Sequence, residues 1–351
     1  MKHVSLNDLK PGYEIVIVGA GAAGCSLAYH LNDSSNALLI DYRKFPRFKA
    51  CSGILVHAAK EHFDGIQIPN EVFSNPKEID FVYADWNNNV EKPIKKGFFN
   101  TYRENLDKWL FNRLKTKKIE FCEKAKLIDF SYTKDKKHIV LMIESEGNIK
   151  NIVTKYLIGC DGATSMIRKK ISTTQIPYYL AIQEVIPQEK VSPKTYFIYD
   201  DEITDFYSWV IPKNKSIEIG SAVKPENSKE TFELFKRKVK EKLGIEGNGK
   251  MEAAIILRPD SFSEIVLGNE NIILCGEAAG LISPSSAEGI SYALVSGKKC
   301  AEAINSCLEK GKNEVLETYK HNIKQLLERL KKKFDKSEQI KKHSTRKGFF
   351  E

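Results

Sequence analysis

The chain has 351 residues, of which 42% are hydrophobic and 10% aromatic, and it carries a formal net charge of +9. Such a chain forms one large or two modest globular domains, because it has enough apolar side chains to build a core. No apolar run approaches the ~20 residues that a membrane-spanning helix needs, and residues 1–14 have no apolar signal-peptide core. We therefore expect a cytoplasmic protein.

Seven cysteines are scattered along the chain, and no two of them have the Cys-x-x-Cys spacing. An odd number of unclustered cysteines favours reduced thiols over a disulfide framework or a zinc site. We accordingly predict no bound metal.

The first motif is a Gly-x-Gly-x-x-Gly turn that directly follows the apolar, β-branched residues 15–18. The apolar run predicts a buried parallel strand, and the glycines predict a turn into a helix whose N-terminus attracts an anion. Gly19 permits the tight turn, Gly21 leaves room for a pyrophosphate, and Gly24 lets the helix pack on the strand. The residues predicted to surround the pyrophosphate are Gly19, Ala20, Gly21, Ala22, Ala23 and Gly24.

A second predicted strand, residues 37–40, ends at Asp41, which lies 20 residues beyond Gly21. A carboxylate at this spacing is typical of the group that binds the ribose of a dinucleotide. The alternative is a glycine-rich turn in another kind of α/β protein. The order of strand, glycines, helix, strand and acid disfavours it.

The loop after Asp41 is basic, and the guanidinium groups of Arg43 and Arg47 are suited to phosphate oxygens. Cys51 in this loop has two interpretations. It is either an inert buried thiol, or a thiol that opens onto a cofactor, where nearby cations favour the thiolate. The loop residues that we assign to the cofactor site are Tyr42, Arg43, Cys51, Ser52 and Gly53.

The βαβ pattern is interrupted after this loop. Residues 54–75 predict a helical connector, and residues 79–84 and 90–99 alternate with the period of strands. The interruption indicates a sheet inserted between the halves of a nucleotide-binding fold. The next helix starts at Arg103, where the side chain is suited to contact the pyrophosphate.

A second strand-to-turn site ends at Asp161 and Gly162, where the carboxyl end of a strand meets a ligand. An antiparallel sheet that walls a pocket is predicted next. Its strands are residues 178–186, 194–199, 206–211 and 216–223. Tyr207 and Trp209 either pack in the core of this sheet or line an apolar substrate cavity.

A third site follows the apolar strand 272–275, where Gly276, Glu277 and Ala278 form a turn. Gly289 and Ile290 then lead into a helix, residues 291–306, whose small residues allow it to lie close to a flat ligand.

A closing helix is predicted over residues 315–333, and the basic C-terminal end covers residues 329–351. This basic end is either a solvated surface or a region attracted to an anionic membrane. No nucleic-acid-binding motif accompanies the charge, so a nucleic-acid partner is not expected.

Three strand-to-turn sites in this order resemble the p-hydroxybenzoate hydroxylase superfamily of FAD-dependent enzymes. Within it, residues 49–53, Lys-Ala-Cys-Ser-Gly, resemble the Lys-Pro-Cys-Gly-Gly loop of the geranylgeranyl reductase family. Residues 207–212 resemble the Tyr-x-Trp-x-x-Pro strand of that family. The segments similar to the CbrA family of FAD oxidoreductases are residues 156–168, 203–209 and 276–293. The superfamily has Gly-Asp at the third site, and here Glu277 replaces the aspartate.

The resemblance implies FAD as the cofactor and an α/β fold. This fold is a Rossmann-like FAD-binding domain of the p-hydroxybenzoate hydroxylase type with an inserted antiparallel-sheet substrate domain. The implied boundaries are residues 1–75, 100–170 and 265–310 for the FAD-binding domain, 76–99 and 171–264 for the substrate domain, and 311–351 for a C-terminal helix and basic tail.

Site residues follow from the same resemblance. It implies that residues 19–24 bind the pyrophosphate, that Asp41 binds the adenosine ribose and that Arg103 contacts phosphate or ribityl oxygens. The backbone of Leu127 would meet adenine, and Glu277 with the backbone of Gly289 and Ile290 would hold the ribityl and isoalloxazine parts. Asp161 and Gly162 would have a structural or nicotinamide-proximal role.

The leading functional hypothesis is a reductase that transfers a hydride from reduced FAD to a C=C bond of a prenyl or other apolar, lipid-like substrate. Cys51 is the candidate proton donor, and Tyr207 and Trp209 are the candidate pocket residues. The electron donor would be NAD(P)H or a redox protein. The alternatives are a flavin monooxygenase acting on an aromatic or polyketide-like compound, and a flavin-binding protein at the membrane surface, contacted through the basic C-terminal end.

Overall fold

The computed structural model describes residues 1–188, 192, 194–341 and 344–346. Its strands are β1 Lys2–His3, β2 Gly12–Val18, β3 Ala37–Asp41, β4 Ile54–Leu55, β5 Phe73–Asp85, β6 Val90–Thr101, β7 Glu120–Glu123, β8 Lys126–Tyr132, β9 Ile139–Ser145, β10 Asn148–Gly159, β11 Tyr178–Pro187, β12 Thr195–Asp200, β13 Thr204–Lys213, β14 Ser216–Val223, β15 Lys250–Leu257, β16 Gly268–Asn269 and β17 Ile272–Leu274. Its α-helices are α1 Ala22–His30, α2 His57–His62, α3 Arg103–Arg113, α4 Met166–Ile171, α5 Ser228–Leu243, α6 Ile290–Glu309, α7 Val315–Asn322 and α8 Lys324–Lys341.

The first sheet has the strand order β1-β7-β3-β2-β10-β17-β16, with β8 and β9 extending from β10. The pairings from β1 to β17 are parallel. Strands β2 and β3 are almost wholly buried, as a parallel sheet covered on both faces requires. Because β2, β10 and β17 are neighbours with the same direction, the three turns that follow them meet at one edge of the sheet.

Close packing of two helices covers one face of this sheet. A Cβ atom on Gly297 of α6 would lie 2.3 Å from the carbonyl oxygen of Ala23 in α1. The small residue therefore allows α6 to approach the backbone of α1. Gly297 therefore has a role in helix packing. The sequence suggested instead that the small residues of this helix lie close to a flat ligand.

The second sheet has the order β15-β11-β14-β13-β12-β5-β6-β4. Its pairings are antiparallel except for β12 with β5, which run parallel. Strand β13 carries Tyr207 and Trp209, and it ends at Lys213. The helix α5 packs with Phe232, Phe235 and Val239 against one face of the sheet.

The segment predicted as a helical connector is mostly not helical. Within residues 54–75, only α2 is α-helix, and Ile54 and Leu55 pair instead with Asn100 and Phe99 of β6. Gly65, with a φ of +72°, and Pro69 follow α2 and are poorly suited to continue it. The closing helix also differs from the prediction, because it is divided at Ile323 into α7 and α8.

The C-terminal helix α8 packs against both halves of the molecule. Ser337 Oγ donates to the carbonyl oxygen of Pro284 at 3.1 Å, and the buried Ile340 packs with Tyr199 of the second sheet. Arg346, 1% exposed, is ion-paired with Asp201. Part of the basic C-terminal end is therefore held against the protein.

The outer face of α8 presents several lysine and arginine side chains to solvent, among them Arg329, Lys331 and Lys332. Residues 342–343 and 347–351, also part of the basic end, lie outside the described residues. Contact with a membrane surface therefore stays a prediction. Among the described helices, none has the length and apolar character to cross a bilayer.

Protonation of His62 is expected to make stability depend on pH. Burial, aided by the nearby charge of His30, lowers the pKa of His62 to about 4. The unfolded chain then binds a proton more readily than the folded chain. The contribution of His62 to the free energy of unfolding is therefore complete above the ordinary pKa of histidine and is lost as the pH decreases toward 4. We expect His62→Gln to reduce this loss by about 3 kcal/mol between pH 7 and pH 4, measured by urea unfolding. The same change at the exposed His138 is the matched control.

Candidate cofactor site

The turn between β2 and α1 depends on its three glycines in different ways. Gly19 has a φ of +102°, and a Cβ atom there would lie 2.4 Å from the carbonyl oxygen of Cys160. A Cβ atom on Gly24 would lie 1.9 Å from the carbonyl oxygen of Gly19. Gly21 has an ordinary φ of −78°, but its Cβ would lie 2.9 Å from Nη2 of Arg47. Gly21 is thus the position that faces an open, basic site.

The start of α1 offers unpaired donors to this site. Ala22 is the first helical residue, Gly21 at the N-cap supplies no side chain, and the first turn contains no acidic residue. The first N–H groups of a helix have no intrahelical acceptors, and the helix dipole adds a partial positive charge. An anion is the ligand that this arrangement favours.

Asp41 fixes the turn from the neighbouring strand. Its Oδ2 accepts the N–H of Ala20 at 2.8 Å, and its Oδ1 accepts the N–H of Arg43 at 2.9 Å. The carboxylate is 4% exposed. It lies at the carboxyl end of β3, beside the glycine turn, where the sequence places a ribose-binding acid.

Arg47, rather than Arg43, lies against Gly21. The guanidinium of Arg43 donates to the carbonyl oxygen of Phe48 at 2.6 Å, so only its backbone N–H reaches Asp41. Tyr42 beside it is 59% exposed. The assignment of Tyr42 and Arg43 to the cofactor therefore stays a prediction, with their side chains directed to the loop and the solvent.

A cluster of two partly buried arginines and one buried aspartate lies next to Gly21. Arg103 Nε donates to Asp107 Oδ1 at 2.8 Å, and Arg47 Nη2 lies 3.5 Å from Asp107 Oδ2. Arg47 Nε lies 3.8 Å from Asp41 Oδ2, too far for a hydrogen bond, and it is buried without a partner in the described part of the chain. These donors and the cradle at Gly21 fit a pyrophosphate.

Asp107 was not identified from the sequence. The apolar spacing of Leu106 and Trp109 is typical of a core-facing helix and gives no indication of a role for the acid between them. The signal available was the spacing of four residues between Arg103 and Asp107, which places both side chains on one face of α3.

The third turn, which follows β17, lies close to the first turn, which follows β2. Gly276 has a φ of +61°, and its Cβ would lie 3.1 Å from that of Ala23. Glu277 Oε1 accepts the N–H of Leu257 at 3.0 Å, and its Oε2 lies 3.6 Å from Lys49 Nζ. Glu277 thus joins the third turn to β15 of the second sheet and to the basic loop.

Arg168 joins the middle turn to the third turn. Its guanidinium donates to the carbonyl oxygens of Ala163 at 2.7 Å, Ala278 at 2.9 Å and Glu277 at 3.2 Å. The side chain is 4% exposed. Nothing in the sequence near Arg168 indicates this role, because the two turns are more than a hundred residues apart.

Asp161 is directed into its own turn. Its Oδ2 accepts the N–H of Met166 at 3.0 Å, while burial raises the pKa of the carboxyl group. Its Oδ1 is buried without a partner among the described residues. Gly162 next to it has a φ of +75°. These contacts favour the structural role among those implied for this pair.

Two further predicted residues lie at the margins of the site. Leu127 is buried in β8, two residues after Ala125, whose N–H donates to the carbonyl oxygen of Asp41 at 2.9 Å. Gly289 is the N-cap of α6, and Ile290 is its first residue. Both positions adjoin turns of the first sheet, and their contacts with the cofactor stay predictions.

Cys51 lies between the arginine cluster and the second sheet. It is partly buried, whereas the other six cysteines are buried. Its Sγ accepts the N–H of Gly53 at 3.5 Å. Burial alone would lower the pKa of Arg103, but the charge and the hydrogen bond of Asp107 raise it above its ordinary value.

Tyr207 and Trp209 differ in their surroundings. Trp209 is 5% exposed, donates from Nε1 to Glu218 Oε1 at 3.0 Å, and packs so tightly that a Cβ on Gly220 would lie 2.3 Å from its ring. Tyr207 is partly exposed and donates to the carbonyl oxygen of Ser286 at 2.7 Å. Tyr207 thus spans from the second sheet to the segment before α6.

Comparison with known families identifies the cofactor. Residues 12–333 match the FAD binding domain family. The chain belongs to this family. FAD is therefore its cofactor, the predicted fold class is confirmed, and the protein is an FAD-dependent oxidoreductase by family.

Individual proteins agree with this membership in the FAD binding domain family. Protein CbrA of Escherichia coli O157:H7 is 30% identical over 333 residues, which cover 93% of this chain and 92% of CbrA. A geranylgeranyl bacteriochlorophyll reductase-like protein from Thermoplasma acidophilum has a TM-score of 0.81 at 20% identity, covering 96% of this chain and 89% of its own. For p-nitrophenol 4-monooxygenase PnpA from Pseudomonas putida DLL-E4 the TM-score is 0.76 at 14% identity, with 97% and 93% covered. The last two show the shared fold.

Proposed function

We propose that the protein is a flavin-dependent reductase that saturates a C=C bond of a prenyl or other apolar, lipid-like substrate. The observation that carries this proposal is the position of Cys51. Cys51 is partly buried and packs against the core of the first sheet, while the carbonyl oxygen of the next residue, Ser52, accepts from Lys213 Nζ of the second sheet at 2.7 Å. A group that can exchange a proton thus lies between the cofactor site and an aromatic surface.

The aromatic surface supports an apolar substrate. The side chains that cluster there are Ile54, Ile79, Phe98, Phe197, Phe206, Tyr207 and Trp209. Several are only partly buried by the rest of the chain, including Phe98, Phe197 and Tyr207. Ligand pockets are lined mainly by such side chains, with few polar groups to fix orientation.

The residues of the chain have distinct roles in this proposal. Bound FAD, when reduced, supplies the hydride. Arg47, Arg103 and the start of α1 hold the pyrophosphate. Cys51 Sγ–H gives its proton to the substrate carbon that does not receive the hydride, and the electron pair of the S–H bond stays on Sγ as a thiolate. The π electrons of the double bond form the new bond to this proton, so that the substrate gains two hydrogens.

The electron donor that we propose is NAD(P)H or a redox protein. The family membership supports a small-molecule substrate and a donor of one of these kinds. The chain has no second Gly-x-Gly-x-x-Gly turn that would indicate a separate nicotinamide domain.

A single-turnover experiment tests this function. The purified flavoprotein is reduced photochemically without oxygen and mixed with geranylgeranyl-type lipids. We expect the flavin absorbance near ~450 nm to return and the lipid to gain the mass of two hydrogens. An unchanged flavin and an unchanged lipid mass would remove the prenyl reductase proposal. A transient oxygen adduct on adding O₂, with an aromatic compound gaining one oxygen, would favour the monooxygenase alternative.

Loss of the proton donor should slow this reaction. We expect Cys51→Ala to lower the rate of flavin reoxidation by lipid about 100-fold, the usual contribution of a positioned acid, while the FAD content stays at the wild-type level. Cys307→Ala, at a buried cysteine in the second half of α6, is the matched control and should retain the wild-type rate. Equal rates in the wild type and Cys51→Ala would exclude Cys51 as the donor.

A further inference from the structure

The C-terminal helix α8 closes one side of the aromatic surface on the second sheet. Ile340 of α8 is 1% exposed and packs against the buried Tyr199. Tyr83 and Tyr207, both only partly buried, complete this contact. The ring centroid of Tyr199 lies 6.0 Å from that of Tyr83 and 6.5 Å from that of Tyr207. The aliphatic side chain of Ile340 therefore lies against a group of tyrosines at the margin of the surface.

The Cys51 loop lies at the opposite side of the same surface. Strand β6 connects the two sides. Val90 at its start packs in the cluster of Ile340, and Asn100 near its end pairs with Ile54, which follows Cys51 by three residues. Ile54 also belongs to the apolar cluster of the aromatic surface. A chain that begins beside the Cys51 loop and extends across this surface therefore reaches Ile340.

Hydrogen bonds and an ion pair fix the end of α8 in this position. Arg346 Nε donates to the carbonyl oxygen of Ile340 at 3.0 Å, and its guanidinium carbon lies 5.5 Å from the ring centroid of Tyr199. Arg346 Nη1 lies 3.8 Å from Oδ1 of Asp85, the buried residue that ends β5. Ser337, one turn earlier in α8, is hydrogen-bonded to the segment before α6. Ile340 is thus held from both directions along the chain.

We propose that Ile340 is a specificity-determining residue, which sets the longest apolar chain that the aromatic surface accepts. This inference deepens the proposed function and rests on it, because the ligand is the polyisoprenoid chain of the substrate. The reacting bond lies near the Cys51 loop, and the apolar end of the chain lies against Ile340. A longer chain collides with Ile340, because a tightly packed and anchored side chain yields only at a cost in stability.

Binding to the oxidised holoenzyme tests this role without turnover. The probes are geraniol, farnesol, geranylgeraniol and geranylfarnesol, which differ by one isoprene unit each. Their dissociation constants are measured from the change in flavin and tryptophan fluorescence. In the wild type we expect the affinity to rise with each added unit, because more apolar surface is buried. The rise should stop at one member of the series, where the chain reaches Ile340.

Two substitutions of Ile340 should move this length limit in opposite directions. With Ile340→Ala, the first alcohol that gains no affinity in the wild type should bind about tenfold more tightly, because its added carbons fill the vacated space. Ile340→Phe should shorten the limit by one unit. Leu330→Ala is the matched control, because Leu330 is buried in the same helix but packs in the core of the first sheet. It should keep the wild-type limit.

The FAD content and the melting temperature of each variant show whether it is folded, and either Ile340 variant alone suffices for the test. The same length limit in the wild type and in the folded Ile340 variants would overturn the proposal. So would an affinity that rises through the whole series in the wild type, or a wild type that binds none of the alcohols.

The outcome for Ile340 is separable from the outcome for the reductase function. A limit that moves with Ile340, together with reduced flavin that no lipid reoxidises, would reject the reductase function but keep the role of Ile340. Reoxidation by lipid with an unmoved limit would do the reverse.

Discussion

Gly21→Val should yield a folded protein that lacks FAD. The backbone at Gly21 is extended, with a φ of −78°, so valine brings no backbone strain. Its side chain would instead enter the space beside Arg47, where the Cβ alone lies 2.9 Å from Nη2. This space is the one that we assign to the pyrophosphate. We expect flavin absorbance near ~450 nm, relative to protein absorbance, to fall at least tenfold.

The matched control is Gly12→Val at the start of β2. A Cβ atom there would meet its nearest neighbour, the carbonyl oxygen of Val153, at an ordinary 3.6 Å. This variant should purify yellow. Wild-type FAD occupancy in Gly21→Val would contradict the assignment of the glycine turn to the pyrophosphate.

Arg168→Met should destabilise the protein strongly. Three carbonyl oxygens from two distant turns would lose a charged donor, and burial prevents water from replacing it. Leaving a buried carbonyl oxygen without its donor costs about 1–3 kcal/mol. We expect a loss of this size in the free energy of unfolding, measured with urea, and weaker retention of FAD during dialysis.

Lys169→Met is the control for this variant, because Lys169 is the neighbouring residue of α4 and is exposed. It should change the free energy of unfolding by less than about 0.5 kcal/mol. If Arg168→Met were as stable as Lys169→Met, the hydrogen bonds of Arg168 between the middle and third turns would not stabilise the protein.

The sequence predicted the frame of the site because its signals are local. Apolar runs ending in glycines identify β2 and β17 within a few residues, and Asp41 stands at a spacing that the βα unit sets. The parallel order of the sheet then brings β2, β10 and β17 side by side. Each of these features depends on neighbouring residues or on simple strand geometry.

The parts that could not be predicted depend on contacts between distant segments. Nothing near Arg168 indicates that its acceptors include Ala278, and nothing near Lys213 indicates Ser52 as its partner. The choice of Arg47 over Arg43 depends on how one loop folds back, since both arginines have the same local chemistry. The strand β15 was not predicted, because the evidence for it is its pairing with the distant strand β11.

The contribution of β17 and α6 to the first sheet has a consequence for synthesis on the ribosome. The turn at Gly276 and the helix that packs on Ala23 are translated more than two hundred residues after the glycines that they meet. A nascent chain can form the first βαβ unit early, but the edge of the sheet where the three turns meet is complete only near the end of translation. We therefore expect chains that terminate before residue 276 to lose FAD during purification.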